Sequence, residues 1–180
     1  MIKKFIRLVK RAFAKPLTME QHIEKLRERG VRIGNDVDII NSFLDYDHGY
    51  LISIGNNVTI TNSTILTHDA SLKKTIGYSK IGCVDIGDDV FIGYGSIVLP
   101  NVKIGNRVII GAGSVITNDI PDDSVAVGIP ARVIGSYSDT ENKNRELLNV
   151  VPTYNTENKS NEDKLQILKS LKNGGIGFDL

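Results

Sequence analysis

The feature that most constrains how this chain folds is an aliphatic residue at every sixth position through its middle. Neither the helix period nor the alternation of a single strand produces a six-residue interval. Because a strand residue rises about 3.3 Å, six residues make one short strand and a corner, and three such units close a triangular coil. The series therefore predicts an all-β solenoid, a parallel β-helix. Its unbroken members are Ile86, Ile92, Val98, Ile104, Ile110 and Ile116.

A triangular coil also predicts that residues eighteen positions apart stack on one another, and the sequence repeats at that interval. Residues 86–90 (IGDDV) match 104–108 (IGNRV), and residues 92–96 (IGYGS) match 110–114 (IGAGS). A β-sandwich with accidental spacing is the alternative, and this second period argues against it. We expect about four coils over residues 31–135. The anchors of the earlier coils are Ile33, Ile39, Ile54, Ile60 and Leu66.

The six-residue interval fails twice, and both failures add chain length. Ile39 and Ile54 are fifteen residues apart, so the segment 43–50 is longer than a hexad requires. Leu66 and Ile86 are twenty apart, which predicts an inserted loop at about residues 70–84. Insertions in solenoids form loops on one face, and this face is often the binding face. We therefore expect the functional site at these two interruptions.

Composition excludes several classes of protein. The 180 residues are 41% hydrophobic and 24% charged, which is typical of one globular domain. The net charge of +1 gives no argument for nucleic-acid binding. A single cysteine, Cys83, excludes a disulfide framework and suits a reducing cytoplasm. No apolar run approaches the length of a membrane span.

The segment before the repeats, residues 1–30, is predicted to form amphipathic helices. Residues 1–15 have apolar side chains at helical spacing, and basic ones on the other face. Such a helix can lie on an anionic membrane surface, or it can dock its apolar side on this subunit or a neighbouring one. A second helix is expected from Thr18, as N-cap, to Arg29, with Gly30 ending it.

The segment after the repeats, residues 136–180, is a polar extension. Residues 136–160 are rich in Asn, Ser, Thr and Glu, and we expect them to be an extended tail. A short amphipathic helix is expected from Glu162 to Lys172. No chemistry is assigned to this part of the chain.

His68 is the strongest candidate for chemistry, because it lies in Thr67-His68-Asp69 where the inserted loop leaves the coil. Its position relative to Leu66 predicts a side chain pointing out of the coil, where an imidazole can act as a general base near neutral pH. His22 is expected to be a surface residue. We expect no metal: zinc needs three or four ligands, His48 is the one plausible partner, and no second histidine is expected near His68.

Several blocks together resemble one family, the hexapeptide-repeat acyltransferases, which are left-handed β-helix enzymes that use acetyl-CoA. The resemblance covers about Val31 to Ile134, and it is greatest to the maltose, galactoside and surface-polysaccharide O-acetyltransferases. Thr67-His68-Asp69 before the loop and the closing Gly-x-Pro-Ala-Arg make the match specific. The hexad blocks that carry it are residues 84–93, 110–121 and 127–134.

The resemblance implies a homotrimer with active sites between neighbouring subunits, and His68 as the catalytic histidine. Asp45 falls where related enzymes carry an acceptor-binding acid; Asp45, Asp47 or Asp69 could bind the acceptor or orient His68. On the side of the cofactor, the small residues Gly93, Gly95 and Gly111 would let pantetheine lie close to the backbone. Further positions that match cofactor contacts are Ala112, Thr117 and Arg132. Relatives often have lysine where this chain has Asn118.

The expected function is acetyl transfer from acetyl-CoA to a sugar hydroxyl, in surface-polysaccharide or glycan assembly, with His68 as general base. The enzyme would be cytoplasmic, either free or held peripherally at the inner face of the membrane through residues 1–15. Alternatives are N-acetylation of an amino sugar or O-acetylation of serine, and a trimeric scaffold without catalysis. A carbonic-anhydrase-like metal enzyme is disfavoured by the histidine count.

Overall fold

The computed structural model describes residues 17–157, 159–172 and 174–180. The amphipathic helix expected over residues 1–15 lies outside this range. Two compact units are present, one ending at Ile134 and the other comprising Gly135–Leu180.

The first unit consists mainly of short strands. Its helices are α1 (Met19–Glu28), a 3₁₀ helix (Tyr46–Leu51) and α2 (Lys73–Ile76). Its strands are β1 (Arg32–Ile33), β2 (Val37–Ile40), β3 (Phe43–Leu44), β4 (Ile52–Ile54), β5 (Val58–Thr61), β6 (Thr64–Ile65), β7 (His68–Asp69), β8 (Lys80–Ile81), β9 (Val84–Ile86), β10 (Val90–Ile92), β11 (Ile97–Val98), β12 (Val102–Ile104), β13 (Val108–Ile110), β14 (Val115–Ile116), β15 (Ser124–Gly128) and β16 (Ala131–Gly135).

Three stacked sheets organise these strands. Sheet A has the order β1-β4-β9-β12, sheet B the order β2-β5-β10-β13-β15-β16, and sheet C the order β3-β6-β11-β14. Along the chain, the strands enter A, B and C in rotation four times, and successive strands in a sheet pair in parallel. This is a parallel β-helix. The expected stacking at eighteen residues is confirmed, since Val90 pairs with Val108 and Ile92 with Ile110.

The core is the interior of the coil, filled by alternate residues of each strand. In β10, Val90 and Ile92 are buried while Phe91 between them is exposed. Because successive side chains of a strand point to opposite faces, each short strand supplies one or two buried residues. Among them are Ile52, Ile54, Val58, Ile60, Val84, Ile86, Val98, Val102, Ile104, Val108, Ile110 and Ile116.

One expected anchor is wrong. Ile65, not Leu66, is fully buried and pairs with the anchor Val98. Leu44 holds the same place one circuit earlier. In both early circuits the corner before sheet C is one residue shorter than the hexad predicts, so the aliphatic interval there is five residues.

Glycine and asparagine or aspartate stack at the corner between sheets A and B. A Cβ at Gly87 would lie 2.8 Å from the carbonyl oxygen of Gly105 on the next circuit, so no other residue fits there without displacement. The side chain of Asn106 accepts a hydrogen bond from the Asp88 amide at 2.9 Å, which satisfies a donor between the circuits. The residue that follows at this corner has positive φ, as at Asp89 and Arg107.

A buried serine ladder closes the corner between sheets B and C. The amide of Ser63 donates to Ser42 Oγ at 3.0 Å, that of Ser96 to Ser63 Oγ at 3.2 Å, and that of Ser114 to Ser96 Oγ at 3.3 Å. Each hydroxyl therefore satisfies a backbone group in an interior that excludes water. The sequence explains these small residues by their spacing alone, whereas the structure gives each a hydrogen-bonding role.

Helix α1 packs against the first circuit, as the sequence predicts. Thr18 is its N-cap, with a capping box to Gln21. Its apolar face buries Ile23 and Leu26 in the common core. Gly30, with φ of 89°, follows the helix end.

The inserted loop runs from β6 to β9 and has a small structure of its own. Strands β7 and β8 pair antiparallel, His68 with Ile81, and enclose helix α2. The sequence-based boundary at residue 84 is too late, because Val84 is fully buried in sheet A. The loop therefore ends at Cys83.

The second unit is more helical than expected. It contains helix α3 (Tyr137–Leu148), strand β17 (Thr153–Tyr154), helix α4 (Asn161–Leu171) and strand β18 (Phe178–Asp179). The extended tail expected over 136–160 is therefore wrong: Ser136 caps α3, and Arg145 pairs with Glu141 at 2.6 Å one turn away. The helix expected from Glu162 is present as α4. Of the helices described in both units, none is long and apolar enough to cross a membrane.

The packing of the coil interior is tested by replacing Ile104, which is 1% exposed, with alanine. The cavity left inside the coil should lower the free energy of unfolding by about 2–5 kcal/mol, measured by denaturant titration. The adjacent Lys103 has an exposed side chain, and Lys103→Ala should change it by less than about 0.5 kcal/mol. Equal losses in the two variants would contradict this assignment of the interior.

Candidate active site

The two interruptions of the repeat meet at one corner of the coil. Strands β3 and β6 are neighbours in sheet C, with Leu44 paired to Ile65. The pairing continues past the strands, since the Asp45 amide donates to the Ile65 carbonyl at 3.0 Å. The 3₁₀ helix that follows β3 and the loop that follows β6 therefore start side by side. Residues far apart in the sequence are brought together there.

Asp45 and His68 form the centre of this site. Asp45 is only 2% exposed, and its Oδ2 accepts hydrogen bonds from Thr67 Oγ1 at 2.8 Å, from the Thr67 amide at 3.3 Å and from His68 Nδ1. Three donors on one oxygen hold the carboxylate in a fixed position. The aspartate lies on one circuit and its partners on the next, so the coil register determines this contact.

These hydrogen bonds decide the charge of Asp45. Burial raises the pKa of its carboxyl, but the hydrogen bonds from His68 and Thr67 outweigh burial and hold the pKa below its ordinary value of 3.8. Asp45 is therefore ionised at neutral pH and can only accept hydrogen bonds. It follows that the neutral His68 carries its proton on Nδ1, which leaves a lone pair on Nε2.

The imidazole of His68 remains accessible. Its side chain is 32% exposed, so the outward orientation predicted from the sequence holds in part. A ring fixed on one nitrogen by a buried carboxylate and open on the other side is suited to general base catalysis.

His48 lies close to His68, a proximity that sequence reasoning did not predict. The ring centroids of the two histidines are 5.2 Å apart. His48 Nδ1 lies 4.0 Å from Asp45 Oδ1, and it is buried without a hydrogen-bond partner among the described residues. The statement that no second histidine lies near His68 is therefore wrong, because pairing of adjacent circuits cancels the twenty-residue separation. Potential ligand atoms of Asp45, His48 and His68 all lie within 4.8 Å of one another.

Asp47 and Asp69 have different environments from Asp45. Both are exposed, and no hydrogen bond in the described residues joins either of them to His68. Asp69 Oδ1 instead accepts from the Ser71 amide at 2.8 Å, and this bond lowers the pKa of Asp69. Both roles, orienting His68 and binding an acceptor, stay predictions for Asp47 and Asp69.

Aromatic side chains lie beside the site on the segment that follows sheet C. Tyr46 is held edge-on against Phe43, with ring centroids 5.3 Å apart, and Arg29 lies 4.2 Å from the centre of the Tyr46 ring. Tyr50 is 55% exposed. Sequence reasoning did not select these residues, although the run Asp45 to Tyr50 is unusually rich in aromatic and titratable groups.

Some of the predicted cofactor-contacting residues are packed against the next circuit of the coil, and the others are exposed to solvent. A Cβ at Gly93 would lie 2.7 Å from the Ala112 amide nitrogen, and one at Gly111 2.6 Å from the Val127 side chain. Coil stacking alone explains these two glycines, so they do not require a ligand. Four positions are exposed: Gly95, Ala112, Thr117 and Arg132.

Thr117 lies on the same corner of the coil as His68. It directly follows β14, which stacks in sheet C on β11 and then on β6. At about 4.8 Å for each strand spacing, the two circuits between them correspond to roughly 10 Å along the coil axis. Arg132 is elsewhere, on β16 at the end of sheet B. By this register Thr117 lies two circuits from Leu66, which is two residues before His68, whereas Arg132 lies on another sheet.

Comparisons with known proteins give the family. The model "Bacterial transferase hexapeptide (six repeats)" matches residues 83–118. Protein CapG of Staphylococcus aureus is 39% identical over 183 residues, which are 96% of this chain and 97% of that protein.

Solved structures give the same result. A maltose O-acetyltransferase from Clostridium difficile 630 is 35% identical, with a TM-score of 0.53 over 74% of this chain and 84% of that one. A galactoside acetyltransferase in complex with coenzyme A is 26% identical, with a TM-score of 0.56 over 78% of this chain and 82% of that one. With its stacked hexads and near full-length similarity to CapG, the chain belongs to the hexapeptide-repeat acyltransferase family.

Proposed function

We propose that this protein transfers an acetyl group from acetyl-CoA to a hydroxyl group of a sugar. The observation that carries the proposal is the hydrogen-bonded pair of Asp45 and His68 at the root of the inserted loop. The names of the similar proteins support the chemistry, since they include a maltose O-acetyltransferase and a galactoside acetyltransferase bound to coenzyme A.

The reaction requires a base because a sugar hydroxyl is a weak nucleophile. Nε2 of neutral His68 accepts the hydroxyl proton while the oxygen attacks the thioester carbonyl. The tetrahedral intermediate then collapses, the carbon–sulfur bond breaks, and the imidazolium returns the proton to the CoA thiolate. The products are the acetyl ester and free CoA, and no cysteine intermediate is needed.

Asp45 acts on this reaction through His68. Its carboxylate fixes the Nδ1–H tautomer and stabilises the positive charge that His68 acquires as it takes the proton. Because Asp45 is buried and held by Thr67, the ring does not need to reorganise during transfer. The oxyanion requires donors as well, and backbone amides at a Gly- or Ser-rich coil edge are suited to this.

We infer that acetyl-CoA lies along the open side of the coil, in contact with the exposed Gly95, Ala112 and Thr117. The position of Thr117 on the corner after sheet C, from which the His68 loop also starts, supports this path. Arg132 would contact the nucleotide phosphates, on the same chain or on a neighbour. A left-handed coil and a homotrimer with sites between subunits belong to this proposal. Exposed apolar residues of the inserted loop support a subunit contact, namely Leu72, Ile76, Tyr78 and Ile81.

The aromatic residues beside the site support a sugar as the acceptor. The exposed ring of Tyr50 offers an apolar face on which the C–H face of a sugar ring can stack. We further propose that the acceptor is a surface polysaccharide or glycan precursor, which the enzyme meets in the cytoplasm at the inner face of the membrane. Residues 1–15 supply the basic and apolar side chains for such a peripheral contact.

The base is tested with His68→Ala. Loss of the proton acceptor should reduce the rate of acetyl transfer by about 10²–10⁴-fold, while acetyl-CoA still binds and still raises the melting temperature. His22→Ala, at a half-buried position on α1, is the matched control and should keep the wild-type rate. The acceptor panel for this assay contains neutral sugars, amino sugars and serine.

The possible results of this acetyl-transfer assay separate the alternative functions. Transfer to sugar hydroxyls supports the proposal, whereas transfer only to amines or to serine would replace it with one of the alternative reactions. Undiminished turnover in His68→Ala would refute the role of the base. Failure of acetyl-CoA to bind the wild-type protein would favour a scaffold.

The orienting role of Asp45 is tested with Asp45→Asn, which keeps the shape of the side chain and removes its charge. The turnover number should fall by about 10- to 100-fold, the equivalent of one charge-assisted hydrogen bond, while the KM for acetyl-CoA stays within about twofold. A larger change in KM than in turnover would mean that Asp45 acts in binding the cofactor rather than in orienting His68.

Acid stability gives a second readout for Asp45. Its pKa is lower in the folded than in the unfolded chain, so its hydrogen bonds stabilise the fold above about pH 4, and this stabilisation is lost as the pH falls through the folded pKa. The difference in free energy of unfolding between wild type and Asp45→Asn should therefore shrink between pH 6 and about pH 3. A difference that is constant with pH would contradict the assignment.

A further inference from the structure

We propose that Asp45, His48 and His68 form a binding site for a divalent zinc ion, and that zinc bound there switches off the base. The binding part of this proposal depends only on the geometry of the three side chains. The inhibitory part rests on the proposed function, because it assigns the base to His68.

Two of the three ligands are close to the spacing that one ion needs. Asp45 Oδ1 and His48 Nδ1 are 4.0 Å apart. Zinc binds imidazole nitrogen and carboxylate oxygen at about 2.0–2.2 Å, so two ligand atoms of a tetrahedral site lie about 3.4 Å apart, and these two atoms need to approach by roughly 0.6 Å. The widest separation among the three ligand atoms is within 4.8 Å, so a rotation of the partly exposed His68 ring completes the set.

The two atoms also have no other partner in the described residues. The hydrogen bonds to Asp45 from Thr67 and His68 all go to Oδ2, which leaves Oδ1 directed at His48. His48 Nδ1 is buried with no hydrogen bond. A cation between these two atoms would give the buried His48 Nδ1 the partner that it lacks among the described residues.

The ligand types select zinc among the common divalent cations. Two imidazoles and one carboxylate, with a fourth position open to solvent, match the ligand number of zinc sites that keep an exchangeable water. Magnesium and calcium require six or more oxygen ligands, which this cluster does not offer. Asp45 is already ionised near neutral pH, so it binds a cation without first losing a proton.

Zinc bound through either nitrogen of His68 is incompatible with base catalysis by this residue. Coordination through Nε2 occupies the lone pair that would take the acceptor's proton. Coordination through Nδ1 displaces the hydrogen bond that Nδ1 donates to Asp45 and removes the orientation of the ring. Zinc should therefore be a reversible inhibitor.

The test uses the full-length protein, stripped of metal with a chelator and then dialysed. Zinc chloride is titrated against a chromophoric chelator, so that binding is measured without any acetyl transfer. We expect one zinc per chain, with affinity lowered at least about tenfold in His48→Gln and in His68→Ala. His22→Gln is the matched histidine control and should bind like the wild type.

Inhibition is then measured by chromatography of acetyl-CoA, because the thiol of the product CoA itself binds zinc. Wild type and His22→Gln should lose transfer on adding zinc and regain it with EDTA. The rate of His48→Gln, expressed relative to that variant's own rate without zinc, should resist the inhibition.

Absence of saturable binding, or equal binding by His48→Gln and His22→Gln, would overturn the site. Bound zinc that leaves the rate unchanged, or raises it, would overturn the inhibitory role. Failure of the proposed function would appear instead as no transfer in the zinc-free protein, with the chelator titration unaffected.

Discussion

The parallel register between successive circuits is the constraint on which the rest of the structure depends. It places an aliphatic residue over an aliphatic residue inside the coil, as with Ile92 and Ile110. At the corners it stacks glycine on glycine so closely that a Cβ at Gly87 would touch the next backbone. It also lets the amide of one circuit bond to the side chain of another, which satisfies the buried serines. A slip by one residue would break all three at once.

The same register creates the site. Each circuit brings the chain back to the corner after sheet C, and in the second and first circuits extra residues leave from that corner. Asp45 and His68 meet because Leu44 pairs with Ile65 directly before them. The rigid coil then holds a buried carboxylate against an exposed imidazole, and a flexible surface loop could not keep that contact. Catalysis and the proposed zinc binding both depend on this one juxtaposition.

The sequence predicted the solenoid well because the buried strand residues recur at a regular interval. It pointed to His68 because the interval fails beside this residue. It could not place Ile65, since a corner shortened by one residue changes the interval without changing composition. The proximity of His48 to His68 was missed for a different reason. Contact between circuits depends on the strand register, and the register cannot be read from the sequence where the segments are irregular. Helix α3 was missed because its stability comes from capping and ion pairing rather than from an apolar face.

The central claim is that ionised Asp45 holds neutral His68 with its proton on Nδ1. Nitrogen-15 NMR of protein labelled at histidine measures this directly, with His68→Ala used to assign the resonances. At a pH where the ring is neutral, we expect the protonated-type shift at Nδ1 and the lone-pair-type shift at Nε2, with the preference reduced in Asp45→Asn. A proton on Nε2, or an averaged mixture of tautomers in the wild type, would contradict the account.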